Sequence, residues 1–337
     1  MNNIVVIGAG SIGERHIRCF RATERCRVGF VEVRRELAGR IVEHYPGVRS
    51  FSSLEEALAE NWDGAVIATP APLHLPQAQQ FVERGIGVLI EKPLSVTPNG
   101  AEELIAAVRS VNCAVGVAYV YRAHPVLAEM REFLHSGVFG KPVELVATCG
   151  QNFPTYRPAY RETYYAQRES GGGAVQDALT HIVNAGEWLI GPVERVVADL
   201  SHQVLPGVDV EDTAHVLARH GTVPAVYSLN QHQAPNEVTI TVICERGTVR
   251  FENHNCRWRK MERPETPWID STPLQLERDT LFIRQADAFL DCLERKRAAL
   301  CSLEEGFQTL RTNLAILRSA DTGNWCSTGH AEHREPA

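Results

Sequence analysis

The fold is indicated by a stretch near the start of the chain, Asn3-Ile4-Val5-Val6-Ile7-Gly8-Ala9-Gly10-Ser11-Ile12-Gly13. Its apolar run is typical of a buried strand, and a helical pattern follows the glycines. A strand that turns tightly into a helix directs free backbone N–H groups and the positive end of the helix dipole at one point. Gly8 permits the turn, Gly10 permits close approach of a ligand to the backbone, and Gly13 permits the helix to lie close on the strand. The stretch therefore predicts a phosphate-binding turn.

An acidic residue and two arginines follow the second apolar run, Val28-Gly29-Phe30-Val31. In a dinucleotide site, Glu32 at this place accepts hydrogen bonds from the adenosine ribose. Arg34 and Arg35 fit either the 2′-phosphate of NADP or the solvated start of a helix over 36–44. Because a carboxylate repels a 2′-phosphate, the sequence favours NAD and keeps NADP as the alternative. The cofactor contacts predicted in this region are Gly8, Gly10, Ser11, Ile12, Gly13, Glu32 and Arg34.

Composition argues against several classes of protein. The chain has 337 residues and a formal charge of −7, so it can form two cores and has no electrostatic reason to bind nucleic acid. No apolar run is long enough to cross a membrane, and no charged leader precedes the first strand, so we expect a cytoplasmic protein. Nine cysteines without a C-x-x-C pair argue against a disulfide framework and a zinc knuckle. His330 and His333 lack the spacing of a metal site, and no metal is expected.

Residues 1–120 alternate short apolar runs with helical patterns, which predicts a parallel sheet covered by helices. Ligands of such sheets bind beyond the carboxyl ends of the strands. The residues there that we predict to contact the cofactor are Thr69, Pro70, His74, Glu91 and Lys92. Lys92 leaves an apolar strand at this edge and would present its ammonium to the ligand. Helix-start punctuation is the alternative for Pro70, and an incidental strand-end Lys-Pro is the alternative for Lys92. Thr97 is predicted to cap a helix that ends near Val111.

The pattern changes after Tyr121. A long loop over 152–170 is rich in tyrosine and arginine, which is typical either of one wall of a polar pocket or of a subunit contact. The predicted substrate contacts are Arg122, Tyr156, Arg157, Arg161 and Tyr164.

Three glycines end the loop, and a helix is predicted over 174–191. It carries Asp177 and His181, four residues apart and therefore on one face. A histidine beside a carboxylate is the pairing used in general acid–base chemistry, and an exposed helical pair is the alternative.

Segments from 193 to 251 alternate as strands of an antiparallel sheet, whose open face is expected to pair with a second copy in a homodimer or homotetramer. No element is assigned over 253–278, and helices are predicted over 281–296 and 303–319. The predicted domains are 1–121 for the dinucleotide and 122–320 for substrate and subunit contacts, with a disordered tail over 321–337. The last helix is expected to be able to pack back on the first domain.

Four motifs in this order resemble the Gfo/Idh/MocA family of oxidoreductases: Gly8-x-Gly10-x-x-Gly13-x-x-His16, Thr69-Pro70…His74, Glu91-Lys92-Pro93 and Asp177-x-x-x-His181. The resemblance covers about residues 2–320. It implies an α/β fold, with an N-terminal Rossmann domain and a C-terminal α/β domain that has a large, mostly antiparallel open sheet. It also implies hydride transfer between NAD(P) and a hydroxyl carbon of a sugar, cyclitol, sugar acid or sugar nucleotide. Ala71 departs from the asparagine often found there, so a polar contact near the cofactor is expected to be missing.

The resemblance further implies that Lys92 touches cofactor and substrate, that His181 accepts or donates the proton, and that Asp177 holds a substrate hydroxyl or the histidine. The chemistry of these side chains agrees, because a neutral imidazole takes a proton near pH 7 and an ammonium stabilises negative charge developing on oxygen. The alternatives are a non-catalytic dinucleotide sensor, an NAD-dependent glycoside hydrolase of the same fold, and an aldose–aldose or imine reductase.

Overall fold

The computed structural model describes residues 1–329, so His330 and His333 lie outside the described part. The chain forms two compact units. The first comprises Met1–Ala123 and Glu277–Phe307, and the second comprises His124–Leu276 and, among the described residues, 308–329. Residues 277–307, which were predicted to belong to the second domain, lie in the first unit.

The elements are numbered here in chain order. The strands of residues 1–329 are β1 Asn2–Ile7, β2 Cys26–Val31, β3 Arg49–Phe51, β4 Gly64–Ile67, β5 Gly87–Ile90, β6 Val115–Val117, β7 Pro142–Gly150, β8 Arg195–Ser201, β9 Thr213–His220, β10 Val223–Asn230, β11 Glu237–Cys244, β12 Gly247–Glu252, β13 Arg257–Met261, β14 Ile269–Asp270 and β15 Cys326–Ser327. The α-helices of the same residues are α1 Ser11–Ala22, α2 Arg35–His44, α3 Leu54–Leu58, α4 His74–Val82, α5 Ala101–Val111, α6 Pro125–His135, α7 Phe153–Tyr156, α8 Thr180–Ile190, α9 Thr280–Leu293 and α10 Leu303–Thr322.

Within the described chain, the first unit has a six-stranded sheet in the order β3-β2-β1-β4-β5-β6, with every neighbouring pair parallel. This confirms the predicted Rossmann-like sheet. Its core joins side chains of the strands and α1 to the apolar side of α9, which contributes Ala286, Phe289 and Leu290. Burial of these side chains explains why α9 belongs to the first unit although it lies far along the chain.

The carboxyl ends of the parallel strands finish in one row. Ile7 pairs with Val31 and with Ile67, Ile67 pairs with Ile90, and Ile90 pairs with Val117. The ladder continues for one more residue, since the N–H groups of Gly8, Ala68, Glu91 and Ala118 each donate to the neighbouring strand. Residues that follow β1, β2, β4 and β5 therefore emerge side by side at one edge.

The second unit is built on a nine-stranded sheet of described residues, in the order β14-β13-β12-β11-β7-β10-β9-β8-β15. Only the β7–β10 pair is parallel within this sheet, which confirms a large, mostly antiparallel sheet. Buried and less buried residues alternate along β9 and β10. One face is therefore in the core, as expected for an antiparallel sheet with a single covered face.

Several local predictions need correction. Gly100, with a φ of +84°, is the N-cap of α5, not Thr97. β13 and β14 lie in the segment to which no element was assigned, and β15 pairs with β8 although disorder was expected from residue 321. Within residues 1–329, no helix has both the length and the hydropathy that crossing a membrane requires.

Candidate functional site

In the glycine turn of the first unit, each of the three glycines has the backbone conformation or surroundings predicted for it. Gly8 has a φ of +86°, in the left-handed region that favours glycine. A Cβ on Gly13 would overlap the carbonyl oxygen of Gly8, so the start of α1 lies against the turn. A Cβ on Gly10 would meet no atom within 4 Å, so the backbone there is open to a ligand. Ser11 and Ile12 begin α1, whose first N–H groups have no partner within the helix.

Glu32 lies directly beside this turn, and its side chain is already engaged. Its Oε2 accepts a hydrogen bond from Ala9 N at 3.3 Å, and Arg34 donates to both carboxylate oxygens, at 2.8 Å from Nε and 3.0 Å from Nη2. Burial by itself raises the pKa of Glu32, but the bonds from Arg34 outweigh it and hold that pKa below its usual value. Arg34 is thus held against the carboxylate of Glu32, although the arginine side chain remains largely exposed.

A buried His16–Glu91 hydrogen bond that the sequence did not identify lies directly beside Lys92. His16 Nε2 lies 2.6 Å from Glu91 Oε1, and both side chains are buried. Glu91 Oε2 also accepts from Lys92 N at 3.0 Å. Burial raises the pKa of Glu91, but the hydrogen bond and charge of His16 reverse the shift and lower it. His16 stands in the first motif and Glu91 in the third, but the pattern of either motif alone gives no sign that they meet.

His74 holds the two strand exits together. Its Nδ1 lies 3.0 Å from Pro93 O and its Nε2 lies 2.7 Å from Thr69 O, and the ring is buried. Burial lowers the pKa of His74, and a neutral ring donates to one of the two carbonyls. His74 and Glu91 were predicted to contact the cofactor. In the structure, the His74 ring contacts the carbonyl oxygens of Thr69 and Pro93, and the Glu91 carboxylate accepts from Lys92 N. Thr69 and Pro70 lie at the sheet edge, where Thr69 is half-buried and Pro70 is exposed.

The residues of the first unit fit a dinucleotide. The open backbone at Gly10, the first turn of α1 and the Glu32 carboxylate lie along the edge at which the strands end. Lys92 follows β5 at the same edge and is half-buried. Arg122 does not join this set: it is buried, and its Nη1 donates to Glu305 Oε1 at 2.7 Å, so its role as a substrate contact is not supported.

In the second unit, Asp177 and His181 lie on a helix that is not α-helical throughout. Val175–Leu179 forms a π-helical turn, and α8 begins at Thr180. The predicted single α-helix over 174–191 is therefore wrong at its start. π-turns widen the helix and are frequent at functional sites. Asp177 lies in the wide turn and His181 in the first turn of α8.

Tyr164 is brought to this helix. Its hydroxyl donates to Asp177 Oδ1 at 2.5 Å, while the ring stays partly exposed. The hydrogen bond orients the carboxylate that was predicted to hold either the substrate or the histidine. The second unit therefore places Tyr164 against the helical segment that carries Asp177 and His181.

The tyrosine loop is ordered by a small core of its own. Short helical turns replace the structureless loop that was expected, and Tyr160 and Tyr165 pack with Phe153 and Leu205. Arg161 donates to Pro206 O at 2.7 Å. Arg161 therefore holds the tyrosine loop against the segment that contains Pro206. Tyr156 and Arg157 are exposed at its surface.

Two adjacent acidic residues that the sequence did not single out bind backbone N–H groups next to the site. Glu211 Oε1 accepts from Val175 N at 3.0 Å, and burial raises the pKa of Glu211. Asp212 is fully buried and accepts from the N–H groups of 203–205. Burial raises the pKa of Asp212, but these bonds outweigh it and lower the pKa below its usual value. Among residues 1–329, no group of three histidine, cysteine or acidic side chains is placed to hold a metal ion.

Two family models match the chain. The first, described as an oxidoreductase family with an NAD-binding Rossmann fold, matches residues 2–119. The second, the Gfo/Idh/MocA C-terminal domain, matches residues 127–250.

Individual relatives and solved structures agree with these matches. An uncharacterized oxidoreductase of Synechocystis, sll0816, is 30% identical over 200 residues, covering 59% of this chain and 54% of the relative, so the chain spans about half of its length. The 1,5-anhydro-D-fructose reductase of Ensifer adhaerens is 24% identical over 340 residues, covering 96% of this chain and 97% of the relative. A structure of levoglucosan dehydrogenase in complex with NADH and levoglucosan has a TM-score of 0.88 at 21% identity, covering 98% of this chain and 100% of the other.

Proposed function

The chain belongs to the Gfo/Idh/MocA family of NAD-binding oxidoreductases, and on that premise we propose that it transfers a hydride between NAD and a secondary alcohol or ketone carbon of a sugar-like substrate. The observation that carries the proposal is the row of strand ends in the first unit. It sets the glycine turn, Glu32 and Lys92 along one edge of the sheet. The names of the relatives support a sugar or a cyclitol as the substrate, and the proposed substrate class also keeps sugar acids and sugar nucleotides.

The cofactor contacts in this proposal follow from the first unit. The backbone at Gly8, Gly10 and the start of α1 holds the pyrophosphate, because free N–H groups and the helix dipole favour an anion there. Glu32 accepts from the adenosine ribose, while Arg34 remains paired to it. When bound, NAD supplies the hydride acceptor for alcohol oxidation.

The proton chemistry is assigned to this chain's own side chains. His181, when neutral, accepts the proton of the substrate hydroxyl at a ring nitrogen, and it returns that proton in the reverse reaction. The ammonium of Lys92 stabilises the negative charge that develops on the substrate oxygen as the C–H bond breaks. Asp177, oriented by Tyr164, holds a neighbouring hydroxyl or the imidazole. Tyr156 and Arg157, exposed on the loop, are the further candidate substrate contacts.

A panel of substrates tests the proposal against its alternatives. The purified protein is mixed with NAD or NADP and with polyols, aldoses, cyclitols, sugar acids and nucleotide sugars, and reduced cofactor is followed by its fluorescence. The proposal expects NADH to accumulate with at least one compound, faster than NADPH. Cofactor binding without reduction by any compound would instead indicate a sensor. Release of an aglycone from a glycoside without net NADH would indicate a hydrolase.

The assembly in this proposal is a homodimer or homotetramer formed through the sheet of the second unit. A row of side chains crosses five of its strands in register: Val197, Leu217, Val226, Val146 and Thr241. Leu217 in this row is 51% exposed. An apolar row on a sheet face favours pairing with an equivalent face.

The cysteines of residues 1–329 form no disulfide, which supports a reducing compartment such as the cytoplasm.

A further inference from the structure

Glu211 binds the start of the helical segment that carries Asp177 and His181. The carbonyl oxygen of Glu211 accepts from Ala174 N at 2.9 Å, and its carboxylate Oε1 accepts from Val175 N at 3.0 Å. Helix starts leave such N–H groups without partners, and both of these residues are fully buried, away from water. One residue from a distant part of the chain therefore supplies the cap that the local sequence, three glycines followed by alanine, does not contain.

The glycines make this contact possible. Gly173 has a φ of +88°, and a Cβ on it would lie within 2.7 Å of both carboxylate oxygens of Glu211. A Cβ on Gly172 would collide with the carbonyl oxygens of Tyr164, Tyr165 and Gln167. The start of the helix is thus enclosed by Glu211 and by the tyrosine loop.

The enclosure extends to the functional side chains. Gly173 N donates to Tyr165 O at 3.2 Å, which fixes the loop backbone next to Tyr164, whose hydroxyl binds Asp177. Asp177 N in turn donates to Gly173 O at 3.0 Å. The positions of Tyr164 and Asp177 therefore both depend on the segment that Glu211 holds.

Electrostatics agree with this geometry. The carboxylate of Glu211 lies at the positive end of the helix dipole, where an acidic group is stabilised. Arg168 Nη2 lies 4.0 Å from Oε2, beyond hydrogen-bonding distance, and Arg168 Nη1 is bound to Asp321 at 3.3 Å. The hydrogen bond to Val175 N, and not a salt bridge, is therefore the close contact of the Glu211 side chain.

We infer that Glu211 is a positioning residue for the reaction, which holds the π-turn so that Asp177 and His181 keep their working geometry. This inference rests on the proposed function for its kinetic consequence. Its structural part, the hold on 174–181, stands independently. A shift of about 1 Å in a reacting group costs about a hundredfold in rate, so a loosened helix start lowers turnover without touching the cofactor.

The test compares Glu211→Gln, which keeps an acceptor at the same reach, with Glu211→Asp and Glu211→Ala, which do not. Gly173→Ala is a second way to displace the carboxylate, and Glu262→Ala, an exposed glutamate after β13, is the matched control. The measurements are amide hydrogen exchange over 174–181, kcat and KM for the substrate, and Kd for NADH.

The expected result is faster exchange over 174–181 and a kcat lowered by about ten- to a hundredfold in the Asp, Ala and Gly173 variants, with the NADH Kd unchanged. Glu211→Gln and Glu262→Ala should match the wild type. Wild-type exchange and turnover in Glu211→Ala would overturn the inference, as would a Gln variant as impaired as Ala. If the Ala variant does not fold, the Asp–Gln pair decides. A wild type inactive on every substrate contradicts the proposed function, whereas the exchange data still decide the hold of Glu211.

Discussion

At the scale of single residues, Gly10 and Gly13 do different work although both belong to one motif. Gly13 is required by the fold, because a Cβ there would overlap Gly8 O, whereas a Cβ on Gly10 would enter open space. The packing of the protein therefore does not require glycine at position 10, in agreement with its proposed role beside the pyrophosphate. This difference follows from the geometry of the turn, and the spacing of the motif alone does not reveal it.

Gly10→Ala should therefore fold normally and lose cofactor affinity. We expect an unchanged unfolding temperature without ligand and an NADH Kd raised by about tenfold or more, since the new methyl occupies the approach to the backbone. Fluorescence titration measures the affinity. Gly39→Ala, at a glycine of α2 with equally open surroundings, is the control and should bind NADH as the wild type does. Wild-type affinity in Gly10→Ala would contradict the assigned turn.

In the proposed site, the Glu32–Arg34 pair sets the preference for NAD over NADP. Replacing Glu32 with alanine removes the ribose acceptor and releases Arg34 for a 2′-phosphate. Since a hydrogen bond to a charged group contributes about 1.5–3 kcal/mol, the ratio of NADPH to NADH affinity should rise by about tenfold or more. Titrations with both cofactors measure the ratio, and Arg40→Ala, an exposed arginine of α2, should leave it unchanged. An unaltered ratio in Glu32→Ala would show that Glu32 does not face the ribose.

At the scale of elements, patterns in the sequence identified the features of helices and strands that depend on neighbouring residues. Ser302-x-x-Glu305 has the Ser-x-x-Glu pattern that predicts a capping box at the start of the last helix, and the box forms, with each side chain accepting from the other residue's N–H. The parallel strands of the first unit also lie where apolar runs predicted them. The starts of two predicted helices were missed. The N-cap of α5 is Gly100, which has a positive φ, and the π-turn at Val175–Leu179 is capped by the distant Glu211. No local pattern records a partner that lies far along the chain.

The same reason explains which residues of the candidate site could be predicted from the sequence. Lys92, Asp177 and His181 were identified by residue type and spacing, which are visible in one motif each. The His16–Glu91 pair and the two carbonyl contacts of His74 join different motifs, so only the fold displays them. For this reason the sequence did not reveal that His74 and Glu91 bind the backbone beside Thr69 and Lys92.

His220, the last residue of β9, makes the free energy of unfolding depend on pH. Its Nδ1–H donates to Gly191 O at 2.6 Å and its Nε2 accepts from Tyr227 at 2.8 Å, and burial lowers its pKa to about 4. An unfolded histidine titrates near pH 6.5, so the unfolded state binds the proton first as the pH falls. The group therefore destabilises the fold progressively from about pH 6.5 down to about pH 4, by about 3 kcal/mol in all.

Denaturant unfolding of His220→Gln at several pH values tests this. The variant should lose less free energy of unfolding than the wild type between pH 7 and pH 4. His254→Gln, at an exposed histidine, should keep the wild-type slope. Parallel curves for the wild type and His220→Gln would rule out His220 as the source.

At the scale of the whole molecule, the proposed assembly makes a separate prediction. Leu217→Asp places a charge in the apolar row of the nine-stranded sheet and should dissociate the oligomer, because an unpaired charge in an interface is costly. Sedimentation velocity measures the mass of the particle. Val138→Asp, at an exposed valine after α6, should leave the mass unchanged. A wild type that sediments as a monomer would contradict the proposed interface.

The central claim is that this chain moves a hydride between a sugar-like alcohol and NAD with Lys92 and His181 assisting the proton. The most direct measurement uses a substrate deuterated at the reacting carbon and follows deuterium in the nicotinamide by mass spectrometry, in the wild type, Lys92→Ala and His181→Ala. We expect the wild type to transfer deuterium to the nicotinamide, and each variant to lose more than about a hundredfold in turnover with nearly unchanged NADH affinity. No deuterium in the nicotinamide, or near-normal turnover in both variants, would contradict it.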